Sequence, residues 1–213
     1  MKRAIIFTNG YNINYEYYKD SVKSDDYIIC ADGAINHCIK MNIIPNLWIG
    51  DFDSCDFKSI LKNNPQLNDV EIMKLNPVKD ETDTHKCCMV ALERGFRQIH
   101  IWCAMGNRTD HMMANIHLLE FLHQNDAVGI IEDAKNHITL CSDEIIIEKK
   151  HKYISLIPLD SSVFVEKTQG LLYQLENFKL LRSISMGVSN EFISDTAFLK
   201  IKDGLMIIIQ SDD

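Results

Sequence analysis

Hydrophobic and polar positions follow two rhythms along the chain. As far as residue 131, apolar segments at 4–7, 27–30, 47–49, 70–75, 98–104 and 127–131 alternate with helix-like stretches. Short apolar runs of this kind are what strands buried on both faces require. Between them, 34–41 and 57–61 read as short helices. A longer one follows Thr82, a good N-cap, with Met89 and Leu92 beside Cys88 as its apolar face and Gly95 as its stop. Asp110 opens another, with Met112, Met113, Ile116, Leu119 and Leu122 at helical spacing. The polar, tyrosine-rich segment 11–24 yields no assignment. Strands alternating with helices predict a mainly parallel, doubly wound sheet.

Beyond residue 131 the rhythm shortens. Segments 138–140, 144–148, 153–158, 162–167, 171–175, 183–188, 196–201 and 205–210 are short and rich in β-branched residues. Asp203-Gly204 reads as a hairpin turn between the last two. The expected architecture is therefore an α/β domain over 1–126 and an all-β antiparallel sandwich over 127–213.

In doubly wound sheets ligands bind beyond the carboxyl ends of the strands. Here the unusual residues cluster at those ends: Asn9-Gly10, Asp32-Gly33, Asp51 with Asp53, Lys79-Asp80 with Asp83, and Gly106, Arg108 and Asp110. The centre of this set is Gly50-Asp51-Phe52-Asp53-Ser54. In extended backbone, residues two apart point the same way, so Asp51 and Asp53 reach one point. Two carboxylates at ~4 Å repel by roughly 4 kcal/mol at an effective dielectric of ~20. A cation, a proton or a base between them relieves that repulsion. Hard carboxylate oxygens suit Mg²⁺, and Lys79, Lys86 and Arg108 suit a polyphosphate. The set describes a site for a magnesium–nucleotide complex. There is no G-x-x-x-x-G-K-[ST] and no G-x-G-x-x-G after the first strand, which excludes a P-loop and disfavours a dinucleotide fold.

Composition changes this picture little. The 213 residues carry a formal net charge of −8, without the basic footprint of a nucleic-acid binder. No apolar stretch approaches the ~20 residues of a membrane span, and the first apolar run is too short for a secretory signal. These features point to a cytoplasmic protein. Seven cysteines without a C-x-x-C spacing read as buried reduced thiols, and Trp48 and Trp102 as core.

Several segments together resemble the thiamine pyrophosphokinase family. They are Ala31-Asp32-Gly33, the run from Pro45 through Asp51-Phe52-Asp53-Ser54, Lys79-Asp80-Glu81-Thr82-Asp83, Gly106-Asn107-Arg108-Thr109-Asp110-His111 with Asn115, Gly170-Leu171-Leu172-Tyr173, and Ser189-Asn190-Glu191. The resemblance implies transfer of diphosphate from ATP to the thiamine hydroxyl, giving thiamine diphosphate and AMP. It implies Mg²⁺ on Asp51, Asp53 and Asp83, with Asp80 close by as a further catalytic acid. It assigns Asp32, Lys79, Lys86, Arg108 and Asp110 to ATP, with Asp110 orienting Arg108, and Ser189 and Asn190 to thiamine. It also implies a homodimer whose active sites each join the α/β domain of one chain to the β domain of the other. Ala34 and Asn107 stand where the family usually has glycine, which narrows backbone access to a phosphate. A pterin diphosphokinase, a D-x-D glycosyltransferase and a nucleotide-sensing module are the competing classes. The glycosyltransferase leaves the Lys79 and Arg108 segments unexplained, the retained acid cluster argues against the sensing module, and the Gly170 and Ser189 segments favour thiamine over a pterin.

Overall fold

The computed structural model describes residues 2–213 except 12, 54, 79 and 107. The chain forms two compact units, Met1–Ala134 and Lys135–Asp213. That division lies beyond the boundary expected near Asp126. The strand Val128–Glu132 pairs in parallel with Gln98–Trp102 and so belongs to the first unit.

The first unit is built on six parallel strands: β1 (Ala4–Phe7), β2 (Tyr27–Ala31), β3 (Leu47–Gly50), β4 (Glu71–Lys74), β5 (Gln98–Trp102) and β6 (Val128–Glu132). Their order is β6-β5-β1-β2-β3-β4. The chain winds outward from β1 to β4, then returns to the other side of β1. Ile5, Ile29, Trp48, Ile49, Ile99 and Trp102 are fully buried, as strands covered on both faces require. At the edge, β4 keeps Glu71 and Lys74 exposed, and charges there discourage pairing with another chain.

Among the described residues five α-helices cover the sheet: α1 (Tyr15–Ser21), α2 (Ile35–Met41), α3 (Phe57–Asn63), α4 (Asp83–Glu93) and α5 (Thr109–Gln124). The unassigned segment 11–24 holds α1, capped by the Asn14 side chain accepting from Tyr17 N. Its one buried residue, Tyr18, packs on Phe7 and Trp102. A single buried position leaves no periodicity to read.

The two longer helices occur where periodicity predicts them, but each is rotated from the expected face. In α4 the buried residues are Thr84, Cys87, Cys88, Val90 and Ala91, and Met89 and Leu92 are only partly buried. In α5 they are Asn115, Leu118, Leu119 and Leu122, and Met113 is exposed. Thr84, Cys87, Cys88 and Ala91 in α4 and Asn115, Leu118, Leu119 and Leu122 in α5 each follow i, i+3, i+4, i+7 spacing, and the small or polar Thr84, Cys87, Ala91 and Asn115 hide part of each face from a hydrophobic pattern.

The second unit is a sandwich of two antiparallel sheets. One has the order β12 (Asn190–Glu191), β9 (Tyr153–Pro158), β14 (Met206–Ser211), β7 (Asn136–Cys141). The other runs β11 (Glu176–Leu181), β10 (Ser162–Gln169), β13 (Thr196–Asp203), β8 (Glu144–Glu148). Ile154, Leu156, Val163, Val165, Leu199, Ile201 and Met206 fill the space between. Three expectations fail here. Asp203-Gly204 is a tight turn, with Gly204 at φ +84°, but it joins strands of different sheets and is not a hairpin. Segment 171–175 is a loop, bridged to Phe192 at Leu171 and held by the side chains of Asn190 at Tyr173 and Thr168 at Leu175. Segment 183–188 is a turn region with Ile184, Met186 and Val188 about half exposed. A β-branched run with no partner strand cannot satisfy its backbone as a sheet.

All seven cysteines are free thiols, and only Cys55 is not buried. Among the described residues no helix is long and apolar enough to cross a membrane.

Candidate active site

The reversal of winding direction puts a topological switch point between β1 and β5. The loops after these two strands pack backbone to backbone. A Cβ on Gly10 would lie 2.1 Å from the Cys103 carbonyl oxygen and 2.3 Å from that of Met105, so only glycine fits. Tyr11 N donates to Met105 O at 3.2 Å, and the buried Asn115 side chain on α5 donates to Ala104 O at 3.0 Å. These contacts fix the floor of a cleft of about 610 Å³ at the carboxyl ends of the strands. Its walls include Asn9 and Gly10 after β1, Asp32 and His37, Asp53, Thr82 and Asp83 at the start of α4, and Arg108 and Asn115.

The acid cluster lies at this cleft. Gly50 ends β3 against Asp32: a Cβ there would come within 2.8 Å of Asp32 Oδ1 and 2.9 Å of its Cα. This close approach lets two strand ends share one site. Asp32 is held from several sides. Trp48 Nε1 donates to its carbonyl at 2.8 Å, and Phe52 N donates to its Oδ1 at 3.1 Å. Carboxylate oxygens of Asp32, Asp51 and Asp53 lie within 4.8 Å of one another.

Extended alternation does not bring Asp51 and Asp53 together. Phe52 between them sits at φ 63°, in the left-handed region, and Asp53 N donates to Asp51 Oδ1 at 3.2 Å. A tight turn replaces the predicted extended geometry. Asp32 at φ 42° and Cys103 at φ 56° are strained in the same way. Non-glycine residues held there cost of order 1–3 kcal/mol each and concentrate at functional sites.

A hydrogen bond shared with Asp51 raises the pKa of Asp53 above its ordinary value, and repulsion from Asp51, Asp32 and Asp83 adds to it. Three hard oxygen donors meeting at one point fit a divalent ion. The expected metal set contained Asp83 in place of Asp32. Asp83 stands at the start of α4, close enough to act on Asp53 but outside the three-acid group.

The other predicted residues divide. Asp110 takes Arg108 in a two-point pair, Nη2 to Oδ2 at 2.6 Å and Nε to Oδ1 at 3.2 Å. That bond holds the Asp110 pKa down at about 2. Both side chains are mostly exposed, so the pair presents the guanidinium to the cleft and adds little stability. Thr82 caps α4 as expected, accepting from His85 N at 3.2 Å. Asp80 is exposed and Lys86 half-buried, and neither is among the described residues that line the cleft. Lys79 lies outside the described residues. In the second unit, the exposed Ser189 sits at φ 58° and its N donates to Ser155 Oγ. The Asn190 side chain is buried and committed to the backbone of Tyr173, accepting from N at 2.9 Å and donating to O at 2.7 Å. Residue-by-residue reading missed His37, a cleft residue whose only signal is one histidine among the buried positions of α2.

Comparison with known proteins identifies a family for both units. Residues 18–130 match the model described as thiamin pyrophosphokinase, catalytic domain, and residues 143–206 match the thiamin pyrophosphokinase vitamin B1 binding domain. The chain belongs to the thiamin pyrophosphokinase family. It is 32% identical over 182 residues to the thiamine pyrophosphokinase of Bacillus subtilis, covering 82% of each chain. It is 26% identical over 202 residues to thiamin pyrophosphokinase 1 of Caenorhabditis elegans, covering 88% of this chain and 80% of that one. The crystal structure of the Bacillus subtilis thiamine pyrophosphokinase superposes with a TM-score of 0.89 at 26% identity, over the whole of both chains. Both units of the fold therefore have family counterparts, and the parallel sheet followed by the sandwich is the family's architecture.

Proposed function

We propose that the cleft of the first unit binds a magnesium–ATP complex and that its residues transfer the diphosphate of ATP to the hydroxyl of thiamine, releasing AMP. Family membership makes the chain an enzyme, a thiamine diphosphokinase, and a kinase of this family requires a divalent metal. The observation that carries the nucleotide reading is the convergence of Asp32, Asp51 and Asp53 at a cleft that Asp32 and Asp53 line together with Arg108. Asp32, Asp51 and Asp53 would hold the magnesium ion, with Asp83 beside them. Bound there, the ion supplies charge neutralisation to the polyphosphate.

The chain's own residues do the rest. Phosphoryl transfer needs positioning and charge stabilisation more than covalent help. Arg108, oriented by Asp110, neutralises phosphate oxygens. The N-terminus of α4 directs backbone N–H groups toward the cleft at Thr82 and Asp83. Lys79 and Lys86 add positive charge. The thiamine oxygen bonds to the β-phosphorus, the bond from that phosphorus to the α-phosphate oxygen breaks, and AMP leaves. The hydroxyl proton passes to a neighbouring carboxylate.

Ser189 and Asn190 are assigned to thiamine, supplied by the second unit of a partner copy in a homodimer. Support for a partner is the exposure of Leu172, Tyr173, Met186, Val188 and Ile193, each at least half exposed around those loops. Asn190 acts there by holding the Tyr173 loop. The enzyme works in the cytoplasm.

The test is incubation with ATP, Mg²⁺ and either thiamine or a hydroxymethyl pterin. AMP formed only with thiamine is the expected result. ADP, or no nucleotide product, overturns the proposal, and AMP with the pterin reassigns the acceptor. Sedimentation at micromolar concentration tests the dimer; a monomer there removes the partner's contribution.

A further inference from the structure

The cleft contains a polar group that the diphosphate chemistry does not use. His37 lines it from α2 and is only 9% exposed. Its Nδ1 is 3.0 Å from the Tyr15 hydroxyl, and the two rings lie 5.8 Å apart. Its Nε2 is buried and has no hydrogen-bond partner. Two other histidines, His85 and His100, also have an unpartnered Nε2, but neither lines the cleft.

Burial lowers the pKa of His37; the Gly10 carbonyl opposes that shift and Lys40 adds to it. The ring is therefore neutral at neutral pH and has one N–H. With the Tyr15 hydroxyl donating to Nδ1, the proton sits on Nε2. That N–H feels the Gly10 carbonyl without making a bond of normal geometry to it. His37, whose buried Nε2 makes no bond of normal geometry, and Gly10 line the same cleft, and an unmade bond of this kind is a cost that proteins seldom keep without a ligand to relieve it.

We propose that a ribose hydroxyl of the bound nucleotide joins the two, accepting from His37 Nε2 and donating to the Gly10 carbonyl. A hydroxyl does both at one atom, whereas the adenine edge does both only across two, its amino group and a ring nitrogen. Phosphate oxygens and adenine ring nitrogens only accept, and the adenine amino group only donates. A neutral imidazole also lacks the charge that would draw the polyphosphate, which Arg108 and the acid cluster hold elsewhere in the cleft. Tyr15 acts through His37 as a positioning residue, fixing the tautomer and the plane of the ring. This inference rests on the reading that the nucleotide occupies the cleft.

The experiment measures KM for ATP, 2′-deoxy-ATP and 3′-deoxy-ATP in the unaltered enzyme and in His37→Leu, with a thermal melt of each. The unaltered enzyme is expected to bind one deoxy analogue about 10-fold more weakly than ATP, the size of one net hydrogen bond. His37→Leu is expected to bind ATP about as weakly as that analogue and to be indifferent to the missing hydroxyl. A purely structural role for His37 would lower the melting temperature and leave the discrimination intact. Equal KM for all three nucleotides in the unaltered enzyme, or full discrimination retained in His37→Leu, overturns the proposal. If His37→Leu does not fold, Tyr15→Phe is read in its place: weakened discrimination supports the proposal and unchanged discrimination overturns it. Failure of the functional reading looks different, since the unaltered enzyme would then form no AMP with thiamine and ATP.

Discussion

The two units put their buried polar groups to different uses. In the sandwich, Asn190, Thr168 and Gln210 each bond to nearby backbone and close a loop: Asn190 to Tyr173, Thr168 to Leu175, Gln210 to Lys150 N and Glu148 O. In the parallel unit, buried polar side chains keep atoms in reserve. The three buried side-chain nitrogens without partners among the described residues, on His37, His85 and His100, all belong to it. So do the strained Asp32, Phe52 and Cys103 at three strand ends. An antiparallel sandwich uses polar groups to stabilise its turns. A parallel sheet gathers its strand ends on one edge, where strained residues and converging acids become a site.

Glu132 is where this comparison breaks first. It lies in the parallel unit, yet its carboxylate takes His100 Nδ1 at 2.6 Å and Trp102 Nε1 at 3.0 Å, away from the cleft. Glu132→Ala leaves two buried partners unpaired and should destabilise the protein by about 1–3 kcal/mol for each of them. Urea unfolding measures it; a loss within experimental error would show that the network is dispensable.

Asp53→Asn should do the reverse. Turnover should fall by more than ~10²-fold through lost charge stabilisation. The melting temperature in metal-free buffer should hold or rise, because one repelling carboxylate is gone. Near-normal turnover would remove Asp53 from the site.

In the sandwich, Asn190→Ala removes both bonds to Tyr173 and should cost about 1–3 kcal/mol as the loop backbone loses its partners. Its activity should fall with that loss of stability and recover at low temperature. A variant of full stability and no activity would give Asn190 a direct role on substrate.

The smallest effect is expected at Asp110→Asn. The exposed pair adds little stability, so the melt should not move, while KM for ATP rises a few-fold as Arg108 loses its orientation. The Asp110 pKa is lowered from 3.8 to about 2, so the pairing is fully present above pH 3.8 and is lost as pH falls through about 2. Between pH 5 and 8 this pair should therefore contribute no pH dependence to ATP binding; a slope that disappears in Asp110→Asn would contradict it.

Much of the candidate site was legible because its chemistry is local in sequence. Acids and bases at successive strand ends marked the carboxyl edge of the sheet, and apolar runs against helical spacing separated the parallel unit from the sandwich. The unreadable parts depended on neighbours distant in the chain. Helix α1 buries only Tyr18, and α4 buries small residues in place of its largest, so their faces depend on what packs against them. The turn Asp203-Gly204 is the same in a hairpin and in a crossover between sheets. Partner strands decide which.

The acid pair shows the same division. By itself the sequence determined that Asp51 and Asp53 stand together after a buried strand and that their charges need a counterion. Only the tertiary structure decided how they meet, through the left-handed Phe52, and that Asp32 joins them. Gly50 has no side chain to hold β2 and β3 apart at that point, and close approach between strands is not encoded in the spacing of one of them. His37 became part of the site for the same reason: a lone histidine on a short helix has no meaning until the fold places it against Tyr15 and Gly10.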